Sequence, residues 1–134
     1  MKRILVDTTA YAQAMRGRLE AVQLLRRTER ILVSPIVIGE LIAGFRKGSR
    51  ERKNREQLER FLRPVRTHLL SITSETSEFY GAILTGLQAK GTPIPTNDIW
   101  IAASAMQYGA ALATSDGHFS EIDGLLLLEL TSDG

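Results

Sequence analysis

Four acidic residues stand at the ends of apolar segments of this sequence: Asp7, Glu40, Asp98 and Asp116. Carboxylates brought together repel one another and take up protons unless a cation neutralises them. Hard oxygen ligands select Mg²⁺ or Mn²⁺ over zinc. Such an ion polarises a phosphoryl oxygen and lowers the pKa of a bound water. If the fold gathers these acids, the chemistry they suit best is metal-assisted reaction at a phosphate.

The apolar pattern would allow the four acids to meet at one edge of the sheet. Asp7 and Asp116 each follow a short apolar run that predicts a strand, and the carboxyl ends of parallel strands share one edge of a sheet. Asp98 lies at the start of a predicted helix, where the helix dipole favours an anion. Glu40 interrupts an otherwise apolar helix at 35–45, which is unusual for a carboxylate unless it faces a site.

Each acid also has a purely structural interpretation. Asp7 and Asp98 could cap helices, the latter in competition with its two neighbours Thr96 and Asn97. Asp116 could be a turn residue before a glycine, and Glu40 could pair with an arginine. Any one of the four, taken alone, favours the structural interpretation, whereas four acids at neighbouring element ends favour a shared site.

Other kinds of site have weaker support. The chain contains no cysteine and no phosphate-binding glycine loop. His68 and His118 are too few and too far apart to predict a histidine-based metal site. His118 lies two residues after Asp116 and could contact a substrate, but an exposed turn histidine is the simpler interpretation.

The elements that must position the acids alternate along the chain. Strands are predicted at 4–6, 31–33, 68–72, 111–113 and 125–130. Helices separate them, among them 51–62, 74–90 (capped by Ser74 or Thr76) and a helix that opens near Asp98 and turns at Gly109. This alternation predicts an α/β fold with a parallel sheet and helices on both faces.

Length and composition indicate one domain over residues 1–134, with 43% apolar residues to form its core. The amino-terminal apolar run is too short for a signal peptide. The longest apolar-rich windows, 31–45 and 99–113, fall short of a membrane span. We expect a soluble, cytoplasmic protein that does not enter a membrane.

The charge is uneven: the segment 46–66 holds nine basic and three acidic residues, whereas the remainder is net acidic. A basic patch of this kind suits a polyanionic partner. The alternative is a solvated helix stabilised by pairs four residues apart, and the two interpretations are compatible. The three expected pairs are Glu51–Arg55, Glu56–Arg60 and Glu59–Arg63.

Four segments together resemble PIN-domain ribonucleases, and closely the VapC toxins of toxin–antitoxin pairs. They are 4–9 (ILVDTT), 34–44 (SPIVIGELIAG), 96–103 (TNDIWIAA) and 113–119 (ATSDGHF). They follow the family's order and span nearly the whole chain, and the last two are the most specific. Residues 46–75 match in helical character only.

The resemblance implies a parallel sheet of four or five strands and Mg²⁺- or Mn²⁺-dependent endonucleolytic cleavage of RNA. It makes Asp7, Glu40 and Asp98 the core catalytic and metal-binding acids, with Asp116 as a fourth, direct or through water. Three polar residues support them: Thr9, where the family often has Asn or Ser, Asn97 and Thr114.

The same resemblance implies three partners: an RNA substrate, a cognate antitoxin protein and a second copy of the chain in a homodimer. The basic segment would then bind the RNA phosphate backbone, and this contact would depend on salt concentration and not on the base sequence. Its candidate residues are Arg46, Lys47, Arg50, Arg52 and Lys53.

Two rival classes remain open at this point. Phosphoryl-transfer domains of the haloacid-dehalogenase type need a second Asp two residues after Asp7, where this chain has Thr9. Receiver domains need paired acids near the first strand and a lysine after a late strand, and neither is evident. The second class is a non-catalytic PIN module that only binds RNA or protein, and the full set of four acids argues against it.

Overall fold

A computed structural model describes residues 2–132 of the chain as five strands, six α-helices and one 3₁₀ helix. The strands are β1 (Arg3–Val6), β2 (Arg30–Val33), β3 (Thr67–Leu69), β4 (Ala111–Thr114) and β5 (Leu127–Glu129). The α-helices are α1 (Thr8–Met15), α2 (Leu19–Arg27), α3 (Pro35–Lys47), α4 (Glu51–Leu62), α5 (Ser74–Lys90) and α6 (Thr96–Gln107). The 3₁₀ helix, Gly117–Glu121, lies between β4 and β5.

All five strands form one parallel sheet in the order β3-β2-β1-β4-β5, which confirms the predicted α/β fold. The strand order changes direction at β1, which lies between β2 and β4. Val6 at the end of β1 is in register with Ala113 near the end of β4. In sheets of this kind the crevice beyond the carboxyl ends at such a change is where ligands bind.

The strands are apolar because both faces of a parallel sheet are covered by helices. Ile4, Leu5 and Val6 of β1 are completely buried, and so are Leu112 and Ala113 of β4. α6 is buried around most of its circumference, which is wider than the single apolar face that its spacing suggested. It ends before Gly109, whose φ of 62° turns the chain into β4, as predicted.

The two edge strands are shorter than predicted. β3 covers Thr67–Leu69 rather than 68–72, because β2, its one neighbour in the sheet, ends at the residue in register with Leu69. β5 covers Leu127–Glu129 rather than 125–130 and pairs with the last three residues of β4. An edge strand has pairing partners on one side only, so the length of that neighbour limits it.

Two local predictions also change. The 3₁₀ helix stands where the sequence indicated a short turn, and its Phe119 is buried to 1% exposure. The N-cap of α5 is Thr73, and Thr76 completes a capping box with it. Ser74 is therefore the first residue of the helix instead of its cap.

Within residues 2–132, no helix is long and apolar enough to cross a membrane.

Candidate metal centre

Asp7 is held at the junction between β1 and α1. Its Oδ1 caps α1 by accepting a hydrogen bond from the backbone N–H of Ala10 at 2.8 Å. The same oxygen accepts from the Thr9 hydroxyl at 2.7 Å, and Oδ2 accepts from the hydroxyl of Thr114. The carboxylate is 3% exposed, so the structural role foreseen for Asp7, a helix cap, is confirmed. The two hydroxyls fix its orientation in addition.

Thr9 and Thr114 also hold the chain that leads to Asp116. The Thr9 hydroxyl accepts from the backbone N–H of Ser115 at 2.9 Å, and the Thr114 hydroxyl accepts from that of Asp116 at 2.9 Å. The two hydroxyls are 3.3 Å apart. The ends of β1 and β4 are thereby joined through side chains, and the position of Asp116 depends on the same residues that orient Asp7.

Asp98, Asp116 and His118 bring three possible metal-binding atoms within 4.8 Å of one another. Nδ1 of His118 is 3.2 Å from Oδ2 of Asp98 and 3.2 Å from Oδ1 of Asp116. Asp98 is the third residue of α6, whose N-cap is Pro95, so Asp98 does not cap that helix. Asp116 caps the 3₁₀ helix by accepting from the His118 backbone N–H at 2.9 Å. The turn role foreseen for Asp116 is therefore real.

Glu40 lies in the second turn of α3 and accepts two hydrogen bonds from other elements. The Thr8 hydroxyl donates to Oε1 at 2.7 Å, and the Asn97 amide donates to Oε2 at 3.3 Å. The alternative in which Glu40 pairs with an arginine does not occur within residues 2–132, where its hydrogen bonds come from these two neutral groups. These two bonds join α3 to the beginnings of α1 and α6.

The electrostatics of the acids reflect burial and mutual repulsion. Burial raises the pKa of the Asp7 carboxyl above its ordinary value, and the nearby charge of Asp116 adds to this, while the hydrogen bonds to Asp7 oppose it. Burial also raises the pKa of Asp98; the charges of Asp116 and Glu40 raise it further, and His118 lowers it. All four acids are therefore close enough to be linked electrostatically, although Asp7 and Glu40 lie outside the three-residue donor group.

These residues fit a divalent cation. Among residues 2–132, no lysine or arginine forms an ion pair with any of the four acids. The donor atoms of the three-residue group already converge, and the half-buried Asp98 is destabilised as an anion. A cation at this point would remove the repulsion that the protein leaves uncompensated.

Two neighbours of the acids were not foreseen from the sequence. His118 was interpreted as an exposed turn residue, and it is 55% exposed, yet its ring contacts two of the acids. Thr8 lies in one of the four family-like segments without an assigned role, and its hydroxyl donates a hydrogen bond to Glu40. The feature of the sequence that could have indicated a fixed position for His118 is the next residue, Phe119. It is apolar, and its burial anchors the turn that carries the histidine.

The basic segment, 46–66, includes the end of α3, all of α4 and the four residues that follow it. Arg52 pairs with Glu56 at 3.4 Å, and the expected pair between Arg55 and Glu51 is present at 2.9 Å. The other two expected pairs do not form among the residues described. Of the candidate RNA-binding residues, four form no ion pair within residues 2–132: Arg46, Lys47, Arg50 and Lys53.

Comparison with known proteins agrees with this geometry. A family model described as the PIN domain matches residues 4–125. The chain is similar to ribonuclease VapC2 of Rickettsia felis, with 32% identity over 106 residues that make up 78% of each chain. It is also similar to plasmid stability protein StbB of Pseudomonas syringae pv. tomato, with 32% identity over 91% of this chain and 94% of that protein.

The fold has a solved counterpart. The crystal structure of VapBC2 from Rickettsia felis, bound to a DNA fragment from its promoter, superposes with a TM-score of 0.83 and 26% identity. The alignment covers 95% of this chain and 98% of that one. This chain therefore belongs to the PIN-domain family and, within it, to the VapC ribonucleases.

Proposed function

We propose that this protein is a metal-dependent endoribonuclease that acts as the toxin of a toxin–antitoxin pair. The observation that carries the proposal is the convergence of Asp98, Asp116 and His118, with Asp7 and Glu40 linked to the same place by hydrogen bonds and charge. Relatives that the chain covers by more than two thirds are named as ribonucleases, which supports RNA as the substrate.

The ion would be Mg²⁺ or Mn²⁺, held by Asp98 and Asp116, with Asp7 and Glu40 completing its surroundings. Bound there, a divalent ion stabilises negative charge on the phosphodiester and eases ionisation of a water. The protein's own part is to hold the carboxylates in place before RNA arrives. Thr9 and Thr114 orient Asp7 by donating hydrogen bonds to it. Thr8 and Asn97 orient Glu40 in the same way.

Lys47 is the basic residue best placed to contact the RNA backbone. It follows Glu40 by seven residues on α3, so the two share a helix face and lie about 10 Å apart along the axis. Lys47 is exposed and forms no ion pair within the described residues. Its charge is free to bind a phosphate of a strand whose scissile bond lies at the acids.

The proposal extends to protein partners. We expect a cognate antitoxin, because the similar solved structures are VapBC complexes. We also expect a homodimer and a cytoplasmic location, where cellular RNA is accessible. A non-catalytic module that only binds RNA remains the competing function, and turnover is the property that separates the two.

The direct test is RNA cleavage by the native chain and by Asp98→Asn, prepared identically. Both are incubated with single-stranded RNA and with a structured RNA mixture, in Mn²⁺ or in EDTA. We expect the native chain to cleave RNA in Mn²⁺ and not in EDTA. We expect no cleavage by Asp98→Asn in either condition, because this variant lacks one of the two carboxylates closest to His118. Asp123→Asn is the matched control, since this acid is 90% exposed and pairs with Lys90 outside the cluster.

The controls decide between the alternatives. Equal cleavage by the native chain and Asp98→Asn would identify a contaminating nuclease. Loss of cleavage in Asp123→Asn as well would show that the assay reports folding instead of chemistry. RNA binding by the native chain and by Asp98→Asn, with no cleavage by either chain on either substrate, would favour the binding module.

A further inference from the structure

His118 is one of only two histidines in the chain, and its ring faces two carboxylates at once. Its Nδ1 lies 3.2 Å from Oδ2 of Asp98 and 3.2 Å from Oδ1 of Asp116. A histidine beside one acid forms an ordinary hydrogen bond. A histidine whose single nitrogen is equidistant from two acids of a proposed metal centre occupies the position of a third donor.

The distances match those between ligands of one ion. Oxygen and nitrogen donors about 2.1 Å from a metal are about 3.0 Å apart when adjacent in an octahedral site and about 3.4 Å apart in a tetrahedral one. Both observed separations, 3.2 Å, lie within this range. One ion could therefore bind between the three groups with only small side-chain movements.

The position of the ring is set by the fold. The backbone N–H of His118 donates to Oδ1 of Asp116 at 2.9 Å, and the next residue, Phe119, is buried to 1% exposure. The backbone that carries the imidazole is thus anchored on both sides, by Asp116 and by the core. Such preorganisation is what a metal ligand requires.

We propose that His118 is a nitrogen ligand of the divalent ion and makes this centre prefer Mn²⁺ to Mg²⁺. The proposal rests on the proposed function, in which the acids bind such an ion. Mg²⁺ favours a shell of oxygen donors, whereas affinity for a mixed nitrogen and oxygen site rises along the transition-metal series that begins with Mn²⁺. Asp98 and Asp116 alone would supply oxygen only.

The test measures metal binding in the absence of RNA. Mn²⁺ is titrated into the native chain, His118→Ala and His68→Ala, free Mn²⁺ is followed by EPR, and Mg²⁺ affinity is obtained by competition. Pulsed EPR then detects coupling of bound Mn²⁺ to imidazole nitrogen. His68 lies on β3 outside the donor group, so its variant controls for the loss of a histidine.

We expect nitrogen coupling in the native chain and in His68→Ala, and none in His118→Ala. The Mn²⁺ affinity of His118→Ala should fall about tenfold, while its Mg²⁺ affinity falls less than about threefold. His118 is exposed, so its removal should leave the fold intact, which circular dichroism checks.

Two results would overturn the assignment of His118. Bound Mn²⁺ without nitrogen coupling in the native chain would mean that the imidazole is not a ligand of the ion and contacts the two carboxylates only when no metal is bound. Equal losses of Mn²⁺ and Mg²⁺ affinity in His118→Ala would mean that the ring only positions the two carboxylates and does not bind the ion. Both leave the metal-dependent nuclease intact, whereas failure of the native chain to bind Mn²⁺ at all would remove the proposed function together with this inference.

Discussion

The hydroxyl of Thr114, at the end of β4, donates a hydrogen bond to the carboxylate of Asp7, at the end of β1. Thr114 is completely buried, and the same hydroxyl accepts from the backbone N–H of Asp116. One side chain therefore serves two acids of the proposed site. It also lowers the pKa of Asp7, against the larger effect of burial.

Replacing Thr114 with valine keeps its shape and removes that hydroxyl. The buried oxygen of Asp7 and the N–H of Asp116 then lose a partner, which should lower the free energy of unfolding by about 1–3 kcal/mol. Because the group orients the acids, cleavage of RNA should fall by about 10–100-fold. Urea denaturation and a cleavage assay in Mn²⁺ measure the two effects.

Thr114→Ser is the matched control, since it keeps the hydroxyl and loses only a methyl group. We expect it to retain most of the activity that Thr114→Val loses. If the serine variant were as inactive as the valine variant, the methyl packing and not the hydrogen bond would be responsible.

The raised pKa of Asp98 predicts how stability depends on pH in EDTA. In the folded chain, burial and the neighbouring acids favour the protonated carboxyl, whereas the unfolded chain releases this proton at the ordinary value. The contribution of Asp98 to stability is therefore present at low pH and lost as pH rises through the ordinary aspartate range to the raised pKa. Asp98→Asn should unfold at a higher temperature than the native chain at pH 7.

This advantage of the asparagine variant should shrink as the pH is lowered toward 4, because the carboxyl of the folded native chain, with its raised pKa, takes up a proton and becomes neutral. Thermal unfolding followed by circular dichroism between pH 4 and pH 7 gives the difference directly. A less stable Asp98→Asn at pH 7 would contradict the picture of an uncompensated carboxylate. Adding Mn²⁺ should stabilise the native chain and leave the variant nearly unchanged.

The sequence could predict which elements carry the acids because short apolar runs and helical spacing determine the order of strands and helices. Once the sheet is parallel, residues after β1 and β4 must share its carboxyl edge. A helix that leads into a strand of such a sheet starts at that same edge, which places Asp98 near Asp116. These steps need only the pattern of residues and the rules of chain topology.

The contacts of Thr8 and His118 could not be predicted in this way. Thr8 and Glu40 are 32 residues apart, and Asp98 and His118 are 20 apart. Both contacts depend on the direction of individual side chains at element ends, where no periodicity applies. The 3₁₀ helix that orients His118 is stabilised by the burial of Phe119, a tertiary effect that overrides the polar, glycine-containing character of the segment.

A prediction about RNA binding concerns Lys47. In the cleavage-deficient Asp98→Asn background, Lys47→Gln should weaken binding of single-stranded RNA similarly for all sequences. It should also lower the slope of log affinity against log salt by about 0.7, the value for one lost phosphate contact. Fluorescence anisotropy at several salt concentrations measures both quantities.

Lys90→Gln controls for a general loss of positive charge, because Lys90 pairs with Asp123 at 3.0 Å on another part of the surface. Its salt slope should equal that of the parent. If Lys90→Gln and Lys47→Gln changed the slope equally, attraction by net charge alone would explain the effect, and Lys47 would have no specific contact.

Phe119 links the stability of the core to the geometry of the acids. Phe119→Leu leaves a small cavity beneath the 3₁₀ helix and should lower the free energy of unfolding by about 1–2 kcal/mol. Because Asp116 and His118 lie on the same short segment, Mn²⁺ affinity should fall several-fold as well. The control is Phe61→Leu, because Phe61 packs edge-on against Tyr11 at 5.0 Å, between α1 and α4. This substitution should lower the free energy of unfolding by a similar amount and leave the Mn²⁺ affinity unchanged. If both variants lost Mn²⁺ affinity in proportion to their stability, the 3₁₀ helix would have no special part in positioning the acids.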